Sequence, residues 1–183
     1  MKILLIENDP SFVDYIKTML GALITTVEVV RAGTLAEAME IPDDDSVDIV
    51  LLDLKLPNGQ GLEVFQKVHE HFDRPIIIIS DLEELCSEAV SEGAQDFITK
   101  TERLNGPDLL HSIRHAVARF RFLKRREERM ERTQSNFTAC LRELNTKMRG
   151  PLLSSFREMR KTCNEAAEMV GEISASLKVG QGS

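Results

Sequence analysis

The sequence has no hydrophobic run long enough to cross a membrane, which takes about 18 or more consecutive apolar residues. The first residues form a short apolar segment that turns acidic at once, without the longer core and small-residue cleavage site of a secretory signal. Cysteine is scarce: the chain has three, Cys86, Cys140 and Cys163. Their number is odd, and their spacing is not that of metal ligands. Unpaired thiols are typical of reducing compartments, so these absences together predict a cytoplasmic protein.

Positive charge is scarce in the first half of the chain. Residues 1–100 contain 20 acidic and 7 basic side chains, whereas residues 101–183 contain 10 acidic and 16 basic ones. An acidic half followed by a mildly basic half indicates two parts with different roles. The acidic half would repel the phosphates of a nucleic acid, which argues against nucleic-acid binding there.

The first half alternates between strand patterns and helix patterns. Continuous apolar or β-branched runs predict five strands, at residues 2–6, 26–30, 48–53, 75–80 and 95–99. The helix signals between them are, in order, Asp9-Pro10, the capping box Thr34–Glu37, residues 62–68, and residues 82–92 ending at Gly93. This alternation predicts an α/β fold with a doubly wound, five-stranded parallel sheet.

Polar side chains follow four of the predicted strands. They are Glu7, Asn8 and Asp9 after the first strand, Asp53 at the end of the third, Ser80 at the end of the fourth and Lys100 after the fifth. In a parallel α/β sheet, ligands bind at the carboxyl ends of the strands. Carboxylates there supply the oxygen ligands that Mg²⁺ prefers, and an ammonium group neutralises a transferring phosphoryl group. The set therefore predicts phosphoryl transfer.

Three segments of the sequence resemble the receiver domain of response regulators. They are Ile3–Pro10 (ILLIENDP), Leu52–Glu63 (LDLKLPNGQGLE) and Glu92–Lys100 (EGAQDFITK). The resemblance covers residues 1–120 and implies the flavodoxin-like fold of that family. It also implies a two-component signalling switch, not a metabolic enzyme, which takes a phosphoryl group from a histidine kinase or phosphotransfer protein with Mg²⁺.

The resemblance carries roles over to individual residues. It implies Asp53 as the phosphoacceptor, Lys100 as the phosphate partner, Ser80 as the phosphate-sensing hydroxyl, and Glu7, Asn8, Asp53 and the backbone carbonyl of Lys55 as Mg²⁺ ligands. Phe97 lies three residues before the lysine, in the place of the family's aromatic switch. An ordinary half-buried strand aromatic is an equally good interpretation of Phe97.

Three positions depart from the family pattern and leave two functions open. Asn8 replaces an acid that contacts Mg²⁺, Asp81 replaces a small residue in a loop about two residues short, and Thr101 replaces a proline. An amide still ligates a metal but supplies one negative charge fewer, so metal affinity should fall. The chain is thus either a phosphorylated switch or a phosphate-independent receiver that serves as a docking scaffold.

The second half contains no strand pattern and lacks glycine between Gly106 and Gly150. Its apolar residues follow heptad spacing typical of a coiled coil, with weak positions at Glu127 and Gln134 and an interruption at Gly150-Pro151. This seam comprises Phe120, Leu123, Met130, Phe137, Leu141, Leu144, Met148, Leu152, Phe156, Met159, Cys163, Ala166, Val170, Ile173 and Leu177. We expect a helical dimerisation region over residues 121–178 and a disordered tail at 179–183, with helix packing that begins at residue 107.

Alternatives to a dimerising coiled coil remain for this half. The stripe could pack on its own domain, or the chain could turn back at Gly150-Pro151 into an antiparallel hairpin. Residues 144–153 resemble the dimerisation helix of histidine kinases, but Thr146 takes the place of the phosphorylated histidine; a helix kinked at Gly-Pro is the simpler interpretation. The basic segment 119–132 has no reading motif for nucleic acid, so we expect a charged helix flank and no nucleic-acid partner. His111 and His115 lie one helical turn apart, where solvent-facing or core positions are more common than a metal site.

Overall fold

The computed structural model describes residues 1–44, 46–100 and 104–179, except for the side chains of residues 148 and 173–179. The chain divides into two compact units, Met1–Arg126 and Glu127–Ser183. The strands are β1 (Lys2–Ile6), β2 (Glu28–Ala32), β3 (Ile49–Leu52), β4 (Lys55–Leu56), β5 (Gly59–Gln60), β6 (Ile76–Ser80) and β7 (Asp96–Thr99). The helices are α1 (Pro10–Leu23), α2 (Leu35–Met39), α3 (Leu62–His71), α4 (Cys86–Ser91) and α5 (Gly106–Val179).

The five long strands form one parallel sheet in the order β2-β1-β3-β6-β7. This arrangement confirms the predicted doubly wound α/β fold. The sheet separates two apolar clusters, because alternate side chains of a strand point to opposite faces. Leu4 and Ile6 of β1 join one cluster with Phe65 of α3, whereas Ile3 and Leu5 join the other with α1 and the first turns of α5. Burial on both faces explains why the strands are continuously apolar.

Two of the predicted helix starts, at Asp9 and Thr34, are confirmed. The Asp9 carboxylate accepts a hydrogen bond of 2.9 Å from the Ser11 amide, and Pro10 occupies the first turn of α1. Thr34 caps α2 by accepting from the Glu37 amide at 3.1 Å, and the Glu37 carboxylate accepts from the Gly33 amide at 2.7 Å. These side chains satisfy amide groups that have no partner inside the helix.

Some element boundaries differ from the sequence prediction. The second strand begins at Glu28, two residues late, because its register pairs Glu28 with Lys2 of β1. The helix predicted over 82–92 begins as a 3-10 turn at Glu83–Leu85 and becomes α-helical only at Cys86. The short hairpin of β4 and β5, which immediately follows Asp53, was not predicted because a two-residue strand carries no periodic pattern.

Gly93 follows the end of α4 and has a φ of 114°, a backbone conformation that residues other than glycine rarely adopt. We expect Gly93→Ala to lower the free energy of unfolding by about 1–2 kcal/mol, because alanine must adopt that strained backbone. Urea denaturation followed by circular dichroism measures the change. Gly21→Ala is the matched control, since a Cβ at this α1 position would meet no atom within 4 Å. A Gly93 variant as stable as the Gly21 variant would contradict the expectation.

The first unit includes the beginning of α5. Leu109, Ile113 and Ala116 are buried against the sheet. Farther along the helix, Arg121 pairs with Asp48 at 2.6 Å. Lys124 pairs with Asp73. Both ion pairs lie within the compact unit that ends at Arg126.

The second unit is the remainder of α5, which stays helical through Gly150 and Pro151. No turn back occurs at that pair within the described residues, which argues against the antiparallel hairpin. A proline in a helix removes one backbone hydrogen bond, and the helix on both sides persists here. The seam residues Phe137, Phe156 and Met159 are exposed in the single chain. The seam side chains of Met148, Ile173 and Leu177, and the tail after Val179, lie outside the described part.

Within the described residues, no helix combines the length and the apolar character needed to cross a membrane.

Candidate functional site

The candidate site lies at the carboxyl edge of the parallel sheet. Glu7 follows β1, Asp53 follows β3, Ser80 ends β6 and Lys100 follows β7. The four strands β1, β3, β6 and β7 are consecutive neighbours in the sheet. Because they run parallel, the residues at their carboxyl ends lie at one edge. The structure thus brings together four residues that are up to 93 positions apart in the sequence.

The Lys100 ammonium group lies between two carboxylates. Its Nζ donates to Glu7 Oε2 at 2.5 Å and to Asp53 Oδ2 at 2.7 Å. The other oxygen of Asp53, Oδ1, accepts from Ser80 Oγ at 3.1 Å and from the Lys55 amide at 3.0 Å. Asp53 is therefore held by a cation on one oxygen and by two neutral donors on the other.

The pocket keeps its polar groups out of bulk water. Glu7 is 1% exposed, Asp53 4% and Ser80 0%, and they are the buried polar residues in the part of the chain that the structure describes. Burial of the Lys100 ammonium lowers its pKa, but the hydrogen bonds and attraction of Asp53 and Glu7 outweigh burial, so the pKa of Lys100 is raised. Lys100 therefore stays cationic and pairs with the two buried carboxylates. An unpaired charge in their place would destabilise the fold.

The loop between β1 and α1 contains the remaining acidic-pocket candidates. The Asn8 side chain is exposed, and the Asn8 carbonyl accepts from Arg31 Nη2 at 3.0 Å. Arg31 Nε also donates to the Glu7 carbonyl at 3.2 Å. Asp9 caps α1 with its carboxylate, and its amide donates to Glu7 Oε1 at 2.9 Å. The Asp9 carboxylate is thus engaged as a helix cap.

The donor set fits a hard divalent cation, with reduced charge. Two buried carboxylates, Glu7 and Asp53, reach one common cation, the Lys100 ammonium, and the exposed Asn8 follows Glu7 directly in the chain. Within the described residues, no group of three or more His, Cys, Asp or Glu is placed to hold a metal. Two acids and one amide would leave Mg²⁺ to complete its coordination with water. The rings of His111 and His115 lie 4.0 Å apart.

Phe97 lies outside the hydrogen-bonded group. Its ring is partly buried and packs against the apolar cluster that contains β1 and α3. Its amide donates to the carboxylate of Asp96 at 2.9 Å, and Ser112 of α5 donates to the same carboxylate at 2.7 Å. The position is compatible with either interpretation of Phe97. The predicted departure at Thr101 lies outside the described residues.

Two residues beside the site were missed by the sequence reasoning. Phe12 of α1 places its ring 4.6 Å from Lys100 Nζ, and Arg31 holds the carbonyls of Glu7 and Asn8. Arg31 belongs to the end of β2, and thus to the same sheet edge, so attention to every strand end would have found it. In the sequence, Phe12 is recognisable only as an apolar position of a helix. An ordinary core residue gives the same pattern.

A family model described as "Response regulator receiver domain" matches residues 3–114. Among curated proteins, the chain is 27% identical over 164 residues to the Nisin biosynthesis regulatory protein NisR of Lactococcus lactis, covering 88% of this chain and 64% of that protein. It is 29% identical over 166 residues to the Transcriptional regulatory protein KdpE of Staphylococcus aureus, covering 90% and 67%. The chain thus spans about two thirds of the length of these relatives.

The fold is also similar to solved receiver structures. The BeF3-activated N-terminal receiver domain of Klebsiella pneumoniae RstA superposes with a TM-score of 0.56 at 27% identity. The superposition covers 64% of this chain and 98% of that domain. The likeness therefore concerns the first unit, which contains the site.

Proposed function

Because this chain belongs to the response regulator receiver domains, the switches of two-component signalling, we propose that it accepts a phosphoryl group on Asp53. The observation that carries the proposal is the convergence of Glu7, Asp53, Ser80 and Lys100 within hydrogen-bonding distance. We further propose a histidine kinase or a phosphotransfer protein as the donor. The direct test is intact-mass measurement after incubation with a small phosphodonor and Mg²⁺.

The reaction uses the groups in the positions described. A carboxylate oxygen of Asp53 forms a bond to phosphorus while the bond from phosphorus to the donor's leaving group breaks. The Lys100 ammonium exchanges part of its pairing with Asp53 for the phosphoryl oxygens and neutralises their charge. The Ser80 hydroxyl, which donates to Asp53 at 3.1 Å, then has a phosphoryl oxygen as its new acceptor.

Glu7, Asn8, Asp53 and the Lys55 carbonyl would hold Mg²⁺. The ion, when bound, offsets negative charge on the carboxylates and on the transferring group. Lys100 and Arg31 already place positive charge at this edge, and Arg31 holds the loop backbone at Glu7 and Asn8. We propose a site of modest metal affinity for this reason.

Asn8→Asp should tighten Mg²⁺ binding roughly tenfold, because it adds a negative charge close to a divalent cation. A Mg²⁺ titration followed by backbone chemical shifts of the first unit gives the dissociation constant. Gln95→Glu is the matched control, since it adds the same charge at the amino end of β7, the opposite edge of the sheet. Equal affinity of the Asn8 variant and wild type would place the residue-8 side chain away from the metal.

We propose that the second unit transmits the signal by pairing with a second copy of the chain. Its support is the stripe of exposed apolar side chains along α5, which includes Phe137, Leu141, Phe156 and Met159. Soluble monomers rarely leave such a stripe uncovered. On this proposal residues 1–120 are the receiver, residues 121–178 the dimerising helix and residues 179–183 a tail.

A phosphate-independent docking scaffold is the second candidate. The specific observations that favour it are Asn8, which replaces an acid, and the exposed carboxylate side chain of Asp81 directly after Ser80. Asp81 would repel an incoming phosphoryl group at the pocket mouth. A wild-type chain that takes up neither acetyl phosphate nor beryllofluoride at saturating Mg²⁺ would select this candidate.

A further inference from the structure

The Lys100 ammonium has a third neighbour besides the two carboxylates. Its Nζ lies 4.6 Å from the centroid of the Phe12 ring, within the range of a cation–π interaction. Phe12 stands in the first turn of α1 and is partly buried against the cluster formed by α1 and α5. The ammonium is thus enclosed by Glu7, Asp53 and an aromatic face, and it is 15% exposed.

The Phe12 ring is itself in contact with a second aromatic ring. Tyr15, the only tyrosine of the chain, lies one helical turn later, with ring centroids 6.2 Å apart and planes tilted by 40°. Its hydroxyl donates to the Leu104 carbonyl at 2.6 Å. Leu104 is 6% exposed and directly precedes Asn105, whose side chain accepts from the Asp108 amide in the first turn of α5.

One aromatic pair on α1 therefore contacts the chain on both sides of the connection from β7 to α5. Phe12 contacts Lys100, at the end of the strand, and Tyr15 contacts Leu104, at the start of the helix. This contact route runs through α1. It is separate from Ser80 and Phe97, which are placed on β6 and β7.

We infer that Phe12 is a positioning residue for the Lys100 ammonium, and that the Phe12–Tyr15 pair couples the state of the acidic pocket to the start of α5. The inference rests on the proposed phosphoacceptor function of Asp53. A phosphoryl group on Asp53 adds acceptor oxygens for Lys100, so the ammonium must change partners. The Phe12 ring then favours the position in which the Lys100 ammonium contacts the modified pocket. The hydrogen bond from Tyr15 to the Leu104 carbonyl links that position to the start of α5.

The test uses beryllofluoride binding to the full chain in Mg²⁺, followed by chemical shifts. Phe12→Leu keeps an apolar side chain without an aromatic face and should weaken binding roughly three- to tenfold. Phe12→Tyr restores the aromatic face and should bind within about twofold of wild type, on the same scale. Equal binding by wild type and Phe12→Leu, or binding by Phe12→Tyr as weak as that of Phe12→Leu, would overturn the positioning role.

A second readout is independent of phosphoryl chemistry. The Lys100 side-chain methylene protons next to Nζ should show an upfield ring-current shift in wild type and Phe12→Tyr, and lose it in Phe12→Leu. If the shifts follow this pattern but no beryllofluoride binds, the proposed phosphoacceptor function is wrong and the contact between Phe12 and Lys100 is supported. If the shift is unchanged in Phe12→Leu, the contact is wrong, whatever the beryllofluoride result.

Tyr15→Phe tests the link to the helix, since it removes only the hydroxyl. The variant should bind beryllofluoride like wild type, because Phe12 is intact. Amide hydrogen exchange over residues 108–116 should change on beryllofluoride binding in wild type, and by less than half as much in Tyr15→Phe. An equal change in both proteins would show that the coupling does not pass through Tyr15.

Discussion

Acetyl phosphate and Mg²⁺ should add the mass of one phosphoryl group to the wild-type chain and none to the Asp53→Asn variant. Asp53 is hydrogen-bonded to both Ser80 and Lys100, which places it at the centre of the four pocket residues. Asparagine keeps the shape of the side chain but is not a nucleophile toward phosphorus. The expected effect is therefore complete loss, read by intact-mass spectrometry.

Asp9→Asn is the matched control for this experiment. Asp9 is a carboxylate at the same sheet edge, and asparagine caps a helix as well as aspartate does. This variant should be phosphorylated like wild type. Phosphorylation of Asp53→Asn to the wild-type level would place the acceptor elsewhere, and an unmodified wild type at saturating Mg²⁺ would favour the scaffold function.

The full chain should be a dimer at tens of micromolar, with twice its 20.6 kDa mass in light scattering, while residues 1–126 alone should be monomeric. Each large apolar side chain that the second copy buries contributes on the order of 1.5–3 kcal/mol. The described stripe offers several, among them Phe137, Leu141, Leu144, Phe156 and Met159. Burial of these five side chains on each of the two chains would contribute about 15 kcal/mol or more on this scale, whereas a micromolar dissociation constant corresponds to about 8 kcal/mol. A monomeric full chain would refute the dimer.

We expect the two helices of that dimer to run parallel, and Cys163 tests this orientation. It is exposed on α5 and occupies a seam position, where a residue faces its own counterpart across a parallel coiled coil. Mild oxidation should therefore produce a covalent dimer in wild type and in Cys140→Ser. Cys163→Ser should abolish it. A crosslink that persists in Cys163→Ser and disappears in Cys140→Ser would indicate a different register or an antiparallel pair.

The polar seam positions Glu127 and Gln134 should make the start of the second unit the looser part of such a dimer. Polar residues at seam positions cost stability. A loose segment next to the receiver is a place where a change at Asp53 could alter the crossing angle of the helices. Hydrogen exchange over residues 127–136 should accordingly be faster than over residues 137–147.

Local sequence patterns were sufficient to predict most elements of the first unit and the residue types at their ends. Strand Lys2–Ile6 was predicted with its exact bounds, and the caps Asp9 and Thr34 were predicted with their helices. These features are local: a run of apolar residues, a capping side chain and the amide it binds lie within a few positions of one another. The edge location of Asp53 followed as well, because parallel strands end at one edge.

Which atoms meet at that edge depends on packing between elements that are distant in the sequence. The 2.5 Å and 2.7 Å contacts of Lys100 depend on the register of β7 against β6, and the Phe12 contact depends on how α1 crosses the sheet. An apolar helix position carries the same pattern whether it faces another apolar group or an ammonium ion. The physical reason is that periodicity encodes which face of an element is buried, whereas packing between elements distant in sequence determines what that face contacts.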